Sequence, residues 1–190
     1  MTNQYKDKPY NDYGQWIRQR FPFRVQKISV DAGFSCPNRD GTISHGGCIF
    51  CDNRTFNPSY CQPSKSIAQQ MEEGKAFFRR KYPDMKYLAY FQAYSNTYAP
   101  LDVLKRRYEE ALAVEDVVGL VIGTRPDCIS PELLDYLEEL NRRTFLIVEY
   151  GIESVNDDTL RHINRGHDFE CSRRAIELTH DRGILTGGHI

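Results

Sequence analysis

Apolar positions along this chain change period repeatedly, and each change marks an element. VVGLVIG, Val117 to Gly123, is a nearly unbroken apolar run, as expected of a strand buried on both faces in a parallel sheet. Shorter runs predict strands over Arg24–Val30, Lys86–Gln92 and Phe145–Tyr150. Between them the apolar spacing follows a helical period. Helices are predicted from Asn11 to Arg20, closed by Phe21-Pro22, and from a Ser66 cap to about Lys81, stopped by Tyr82-Pro83. Further helices are predicted over Asp102–Ala113, from Ser130-Pro131-Glu132 onward, over Asp157–His162 and over Phe169–Arg182. Ser130 caps that helix, with proline at its first position and an acid in its first turn. The closing ILTGGHI begins a fifth strand. This alternation predicts an α/β fold with parallel strands.

The segment Asp31–Ser64 fits neither period. It is rich in Gly, Asn and Pro and far longer than an ordinary βα connection, which marks it as functional. It contains CPNRDGTISHGGCIFC, in which eleven residues separate Cys36 from Cys48 and Cys48 pairs with Cys51 as C-x-x-C. Three thiolates can hold three corners of a cubic iron–sulfur cluster and leave the fourth iron open. A structural zinc site needs four ligands instead, and Cys61, separated from Cys51 by nine residues, is available as the fourth. Spacing alone leaves both open.

Composition narrows the setting. At 190 residues the chain suits one domain with a real core, and 25 basic against 26 acidic residues give a net charge of −1. No global field marks a nucleic-acid or membrane binder. The pairs and triplets Arg79-Arg80-Lys81, Arg106-Arg107, Arg142-Arg143 and Arg173-Arg174 are expected to be solvated helix faces. No segment reads as a signal peptide or reaches the ~20 apolar residues of a membrane span. Six cysteines in such a chain point to thiolates in a reducing, cytoplasmic setting. Cys128 and Cys171 are expected to be buried packing.

The cysteine loop directly after a first strand, DAGFSCPNRDGTISHGGCIFC, together with FQAYSNTYAP downstream, resembles the radical S-adenosylmethionine (SAM) superfamily. Within it the chain looks most like the YhcC-type proteins, themselves similar to elongator-type radical SAM enzymes. The resemblance runs from about Tyr10 to the last residue. It implies a partial (β/α) barrel, a lead-in over 1–23, and a SAM- and cluster-binding core over 24–190 that is cut short in its fifth strand. A longer enzyme is expected to complete the barrel.

The resemblance also implies a cofactor set and site roles. Cys36, Cys48 and Cys51 would hold a [4Fe–4S] cluster whose open iron chelates SAM. An external donor such as flavodoxin or ferredoxin would supply the electron, and transfer RNA is the substrate suggested by the elongator likeness. Phe50 takes the aromatic place beside the adenine. Gln92–Thr97 stands where relatives carry glycines against the SAM amine; those glycines are absent, so Ser95, Asn96 or Thr97 would serve through side-chain oxygens. Gly123 stands where many relatives carry a ribose-binding acid, with Asp127 as a substitute. Glu153 would contact ribose, and Arg165 would grip the SAM carboxylate with its two-pronged donor geometry. Glu149 braces that segment or sits in the barrel mouth. The competing function is a zinc-stabilised binding module, for RNA, on Cys36, Cys48, Cys51 and Cys61.

Overall fold

The computed structural model describes residues 9–10, 12–52, 55, 57–79 and 84–190. The expected helix start at Asn11, the helix end at Lys81, the stop at Tyr82-Pro83 and most of the Arg79-Arg80-Lys81 triplet lie outside them. Eleven elements follow in the order α1 (Tyr13–Arg18), β1 (Val25–Val30), α2 (Ile67–Arg79), β2 (Lys86–Phe91), α3 (Leu101–Leu112), β3 (Val117–Thr124), α4 (Pro131–Arg143), β4 (Phe145–Gly151), α5 (Asp157–His162), α6 (Phe169–His180) and β5 (Leu185–His189). The strands form one parallel sheet in the order β1-β2-β3-β4-β5, open between its two edges, which is the partial barrel expected.

Most element ends agree with the apolar pattern to within two residues. α1 is shorter at its end than the pattern predicts, because Arg20 and Phe21 turn back to bond the Ile17 carbonyl. Phe21 then packs edge-on against Phe145, with ring centroids 5.0 Å apart. α6 stops at His180, before Arg182, where Gly183 takes φ +70° and its N–H bonds the His180 carbonyl.

Alternation along the strands divides the core in two. Ile28, Ala89, Phe91, Leu120, Ile122, Leu146, Val148 and Tyr150 point to the outer face, under α2, α3, α4 and α6. Leu88, Val121 and Ile147 point to the concave inner face, where Trp16 and Ile17 of α1 join them. α1 therefore packs inside the sheet and fills its lower part. Above it, the inner face turns polar toward the C-terminal strand ends.

Those ends all lie on one side, because every strand is parallel to its neighbours. β1 feeds the cysteine loop, β2 feeds Gln92–Thr97, β3 feeds Arg125, and β4 feeds Ile152 and Glu153. Among the described residues, no helix is long and apolar enough to cross a membrane.

Candidate functional site

Cys36, Cys48 and Cys51 line one cavity of about 350 Å³ at these strand ends. Local bonding shapes the loop for this. The Cys36 carbonyl accepts from Arg39 and Asp40 N–H groups, and the Cys51 N–H bonds the Cys48 carbonyl at 3.0 Å, folding C-x-x-C into a single turn. Cys36 and Cys48 are buried and Cys51 is half-buried. Burial pushes the Cys51 thiol up; Arg39 opposes the rise, and the neighbouring Cys48 and Cys36 add to it. A bound metal reverses that preference, since coordination deprotonates a thiol outright.

Two arginines serve the same cavity. Arg165 is 6 % exposed, and its guanidinium donates to Cys48 Sγ at 3.5 Å and to the Gly151 carbonyl at 2.5 Å. Its Nε has no partner, and it forms no ion pair among the described residues. A buried cation without a carboxylate is costly unless an anion completes it. Arg125, which the sequence reading missed, is 3 % exposed and grips Asp127 through two bonds of 2.8 and 2.7 Å, while its Nη1 is unpartnered. The only trace of it in the sequence is the arginine two places before an acid in GTRPD. Asp127, the expected ribose substitute, is engaged by that arginine.

The other expected contacts separate. Phe50, Ser95, Glu153 and Gly123 line the cavity with the cysteines. Ser95 is 1 % exposed, and its Oγ lies near the Cys128 thiol with no other partner. Asn96 donates instead to the Gly123 carbonyl at 2.9 Å, tying the end of β2 to β3. Thr97 bonds Thr124 at 2.5 Å and the Cys128 carbonyl at 2.7 Å, and it faces an outer groove of about 580 Å³ beside the starts of α3 and α4. Glu153 holds φ +69°, a left-handed backbone uncommon for a glutamate and concentrated at functional sites. Its N–H is fixed by the His189 carbonyl at 2.9 Å.

Deeper on the inner face, Glu149 receives Lys27 at 2.6 Å and His189 at 3.1 Å. Burial pushes this carboxyl up, but hydrogen bonds from His189, Lys27 and Tyr90 prevail and hold it at about 2. Glu149 thus both braces its segment and lines the cavity. Tyr90 and His189, lining it too, were not foreseen.

Cys61 lies elsewhere. It is 3 % exposed in the outer core, bonds Asn57 at 3.7 Å, and burial with the nearby Asp31 pushes its thiol to about 12. Among the described residues, no three His, Cys, Asp or Glu side chains gather closely enough for a single metal ion. Three soft thiols around a cavity flanked by two buried cations suit a larger, anionic iron–sulfur group. Cys128 and Cys171 are half-buried, less enclosed than expected.

The model of the radical SAM superfamily matches residues 39–190. Protein YtqA of Bacillus subtilis strain 168 is 42 % identical over 184 residues, covering 97 % of this chain and 57 % of YtqA. YhcC of Escherichia coli K12 is 40 % identical, covering 96 % and 58 %. The chain thus spans somewhat under three-fifths of these relatives' length. Among solved structures, the cobalamin-dependent SAM radical enzyme OxsB, with aqua-cobalamin and SAM bound, superposes with a TM-score of 0.53 at 15 % identity, over 84 % of this chain and 23 % of that one. That likeness concerns the fold.

Proposed function

The chain belongs to the radical SAM superfamily, and from that premise we propose that Cys36, Cys48 and Cys51 hold a [4Fe–4S] cluster at which SAM is bound and reductively cleaved. The observation that carries this reading is the convergence of the three cysteines on one cavity with a buried Arg165 that forms no ion pair among the described residues. When bound and reduced by an external one-electron donor, the cluster would pass that electron to the SAM sulfonium, whose C5′–S bond would break to give methionine and a 5′-deoxyadenosyl radical able to take hydrogen from substrate.

The chain's own residues bind, orient and shield. The three thiolates ligate three irons and leave one open. Arg165 presents its remaining donors to the SAM carboxylate, a job for which a planar fork suits better than lysine. Ser95, whose buried hydroxyl has no partner beyond the nearby Cys128 thiol, offers an acceptor to the SAM amine. Asn96 and Thr97 act one step back, holding the β2 and β3 ends that carry Ser95 and Gly123. Glu153 faces the ribose, held there by its left-handed backbone. Phe50, 53 % exposed at the rim, covers the adenine side.

Transfer RNA is proposed as substrate on the resemblance to elongator-type enzymes, and a flavodoxin or ferredoxin as electron donor. The test is anaerobic reconstitution. Iron and sulfide should approach about four each per chain, and reduced protein should convert SAM to 5′-deoxyadenosine and methionine. Alanine at Cys36, Cys48 or Cys51 should abolish iron binding, whereas Cys61→Ala, Cys128→Ala and Cys171→Ala should not. Stoichiometric zinc in place of iron, lost on Cys61→Ala, would overturn the reading in favour of the four-cysteine module. Comparing modified transfer-RNA nucleosides in cells with and without the gene tests the substrate; an unchanged pool removes it.

A further inference from the structure

A loop with several glycines is costly to order. The cysteine loop carries Gly41, Gly46 and Gly47, all at positive φ. It is nevertheless clipped from a distance, by the turn that follows α5. The Ile49 N–H bonds the Ile163 carbonyl at 3.1 Å. The Asn164 amide donates to the Gly47 carbonyl at 2.9 Å. Asn38, fully buried, returns the contact: its Nδ2 donates to the Asn164 carbonyl at 2.6 Å and lies 3.5 Å from Cys48 Sγ. Arg125 fastens the turn from its other side, donating to the Arg165 carbonyl at 2.8 Å.

The turn's backbone is shaped to this contact. Asn164 and Gly166 both adopt left-handed φ, +53° and +81°. A Cβ at Gly166 would fall 2.8 Å from Asn38 Oδ1 and 3.1 Å from Ile43 Cγ2, so the loop and the turn meet where only glycine fits. Strained residues persist where their surroundings over-determine them, and here the surroundings are the cysteine loop itself.

We propose that the turn Ile163–Gly166 is a clamp that holds the cysteine loop in its ligand-ready shape before metal arrives, with Asn38 as the positioning residue that fixes Cys48 through an N–H···S hydrogen bond. The first half concerns the metal-free chain; the second rests on the cluster reading. Hydrogen bonds to cluster sulfurs are among the factors that set the reduction potential. A donor on Cys48 favours the more negatively charged reduced state, so its loss makes reduction harder.

The first arm of the test is hydrogen exchange on metal-free protein. Asn164→Gly keeps the left-handed backbone and removes only the side-chain clip. Exchange within 36–51 is expected to quicken about tenfold or more, for the lost Gly47 bond worth about 1.5 kcal/mol together with the longer Asn164 Nδ2–Ser44 Oγ contact at 3.4 Å, while β1 to β5 stay as protected as before. Asn38→Asp, isosteric but lacking the donor, reads the same contact from the loop side should Asn164→Gly fail to fold. Loop exchange equal to the parent's in a folded variant overturns the clamp.

The second arm is a redox titration of the reconstituted chain. Asn38→Ala should keep its iron yet lower the reduced-to-oxidised ratio at a fixed potential about tenfold, which is about 59 mV for one electron. An unmoved midpoint with iron retained overturns the role of Asn38. A parent chain that takes up no iron would sink the cluster reading, and the exchange arm would still decide the clamp.

Discussion

Arg165 is the residue on which the site's charge balance turns. Its guanidinium is buried against Cys48 and the Gly151 carbonyl and forms no ion pair among the described residues. Arg165→Lys keeps the charge and loses the fork. With a charge-assisted bond worth about 1.5–3 kcal/mol, SAM affinity should fall roughly ten- to a hundredfold while iron is retained. Glu153→Ala should cost less, because neutral contacts are worth about 0.5–1.5 kcal/mol each. SAM titration followed in the cluster's absorption measures both; unchanged affinity in Arg165→Lys would shift the carboxylate anchor to Arg125, the other buried cation. Glu149 gives a second residue-scale prediction. Its folded pKa of about 2 lies below its unfolded value, so its stabilisation is present above the unfolded value and is lost as pH falls through about 2. A shift from 4.5 to about 2 corresponds to something on the order of 3 kcal/mol. His189 is raised by its bond to Glu149, with burial opposing, Glu153 adding and Lys27 subtracting. Its contribution runs the other way, full below its unfolded value of 6.5 and lost as pH rises through the folded one. Urea midpoints should therefore separate parent from Glu149→Gln most between these limits and converge in strong acid; parallel curves would show that Glu149 does not titrate as described.

At the scale of elements, two close approaches position the sheet that carries the site. Gly119 in β3 faces Phe145 of β4, and a Cβ there would fall 2.2 Å from the Phe145 carbonyl oxygen. Backbone paired on both sides, as β3 and β4 are, cannot yield as a side chain can. Gly119→Ala should cost about 3 kcal/mol or more, at the upper end of overpacking penalties, as a lowered midpoint of urea unfolding; a neutral effect would mean that β3 and β4 can separate locally. α1 acts on the opposite side. Ile17 is 5 % exposed and packs with Leu88, Val121 and Ile147 on the inner face. Ile17→Ala should cost about 2–5 kcal/mol, and because α1 underlies the Lys27–Glu149 level, calorimetry of Ile17→Ala and Glu149→Gln together should show coupling rather than simple addition.

At the scale of the whole molecule, local periodicity and long-range packing divide the work. Apolar spacing was enough to place β3 as a doubly buried strand, to mark Ser130 as the cap of α4, and to expose the long cysteine loop as irregular. Such signals are short-range, because the strand period of two and the helical period of 3.6 are written within a few residues. The resemblance carried by the loop and its downstream strands identified the superfamily. Other facts needed the folded chain. Cys36, Cys48, Cys51 and Cys61 stand within 26 residues of one another, yet Cys61 packs in the outer core while the other three line the cavity. Asn96 and Thr97 read as ligand candidates, yet their side chains tie strand ends together. Tyr90, Asn38 and Asn164 carried no local signal, since their partners lie on other strands and loops, and Arg125 left only the acid two places after it. The bonds that join Asn38 to Asn164 and Cys48 to Arg165 span 126 and 117 residues. Which side chains meet across such distances is decided by strand register and by which face each residue presents, and neither exists until the sheet has formed.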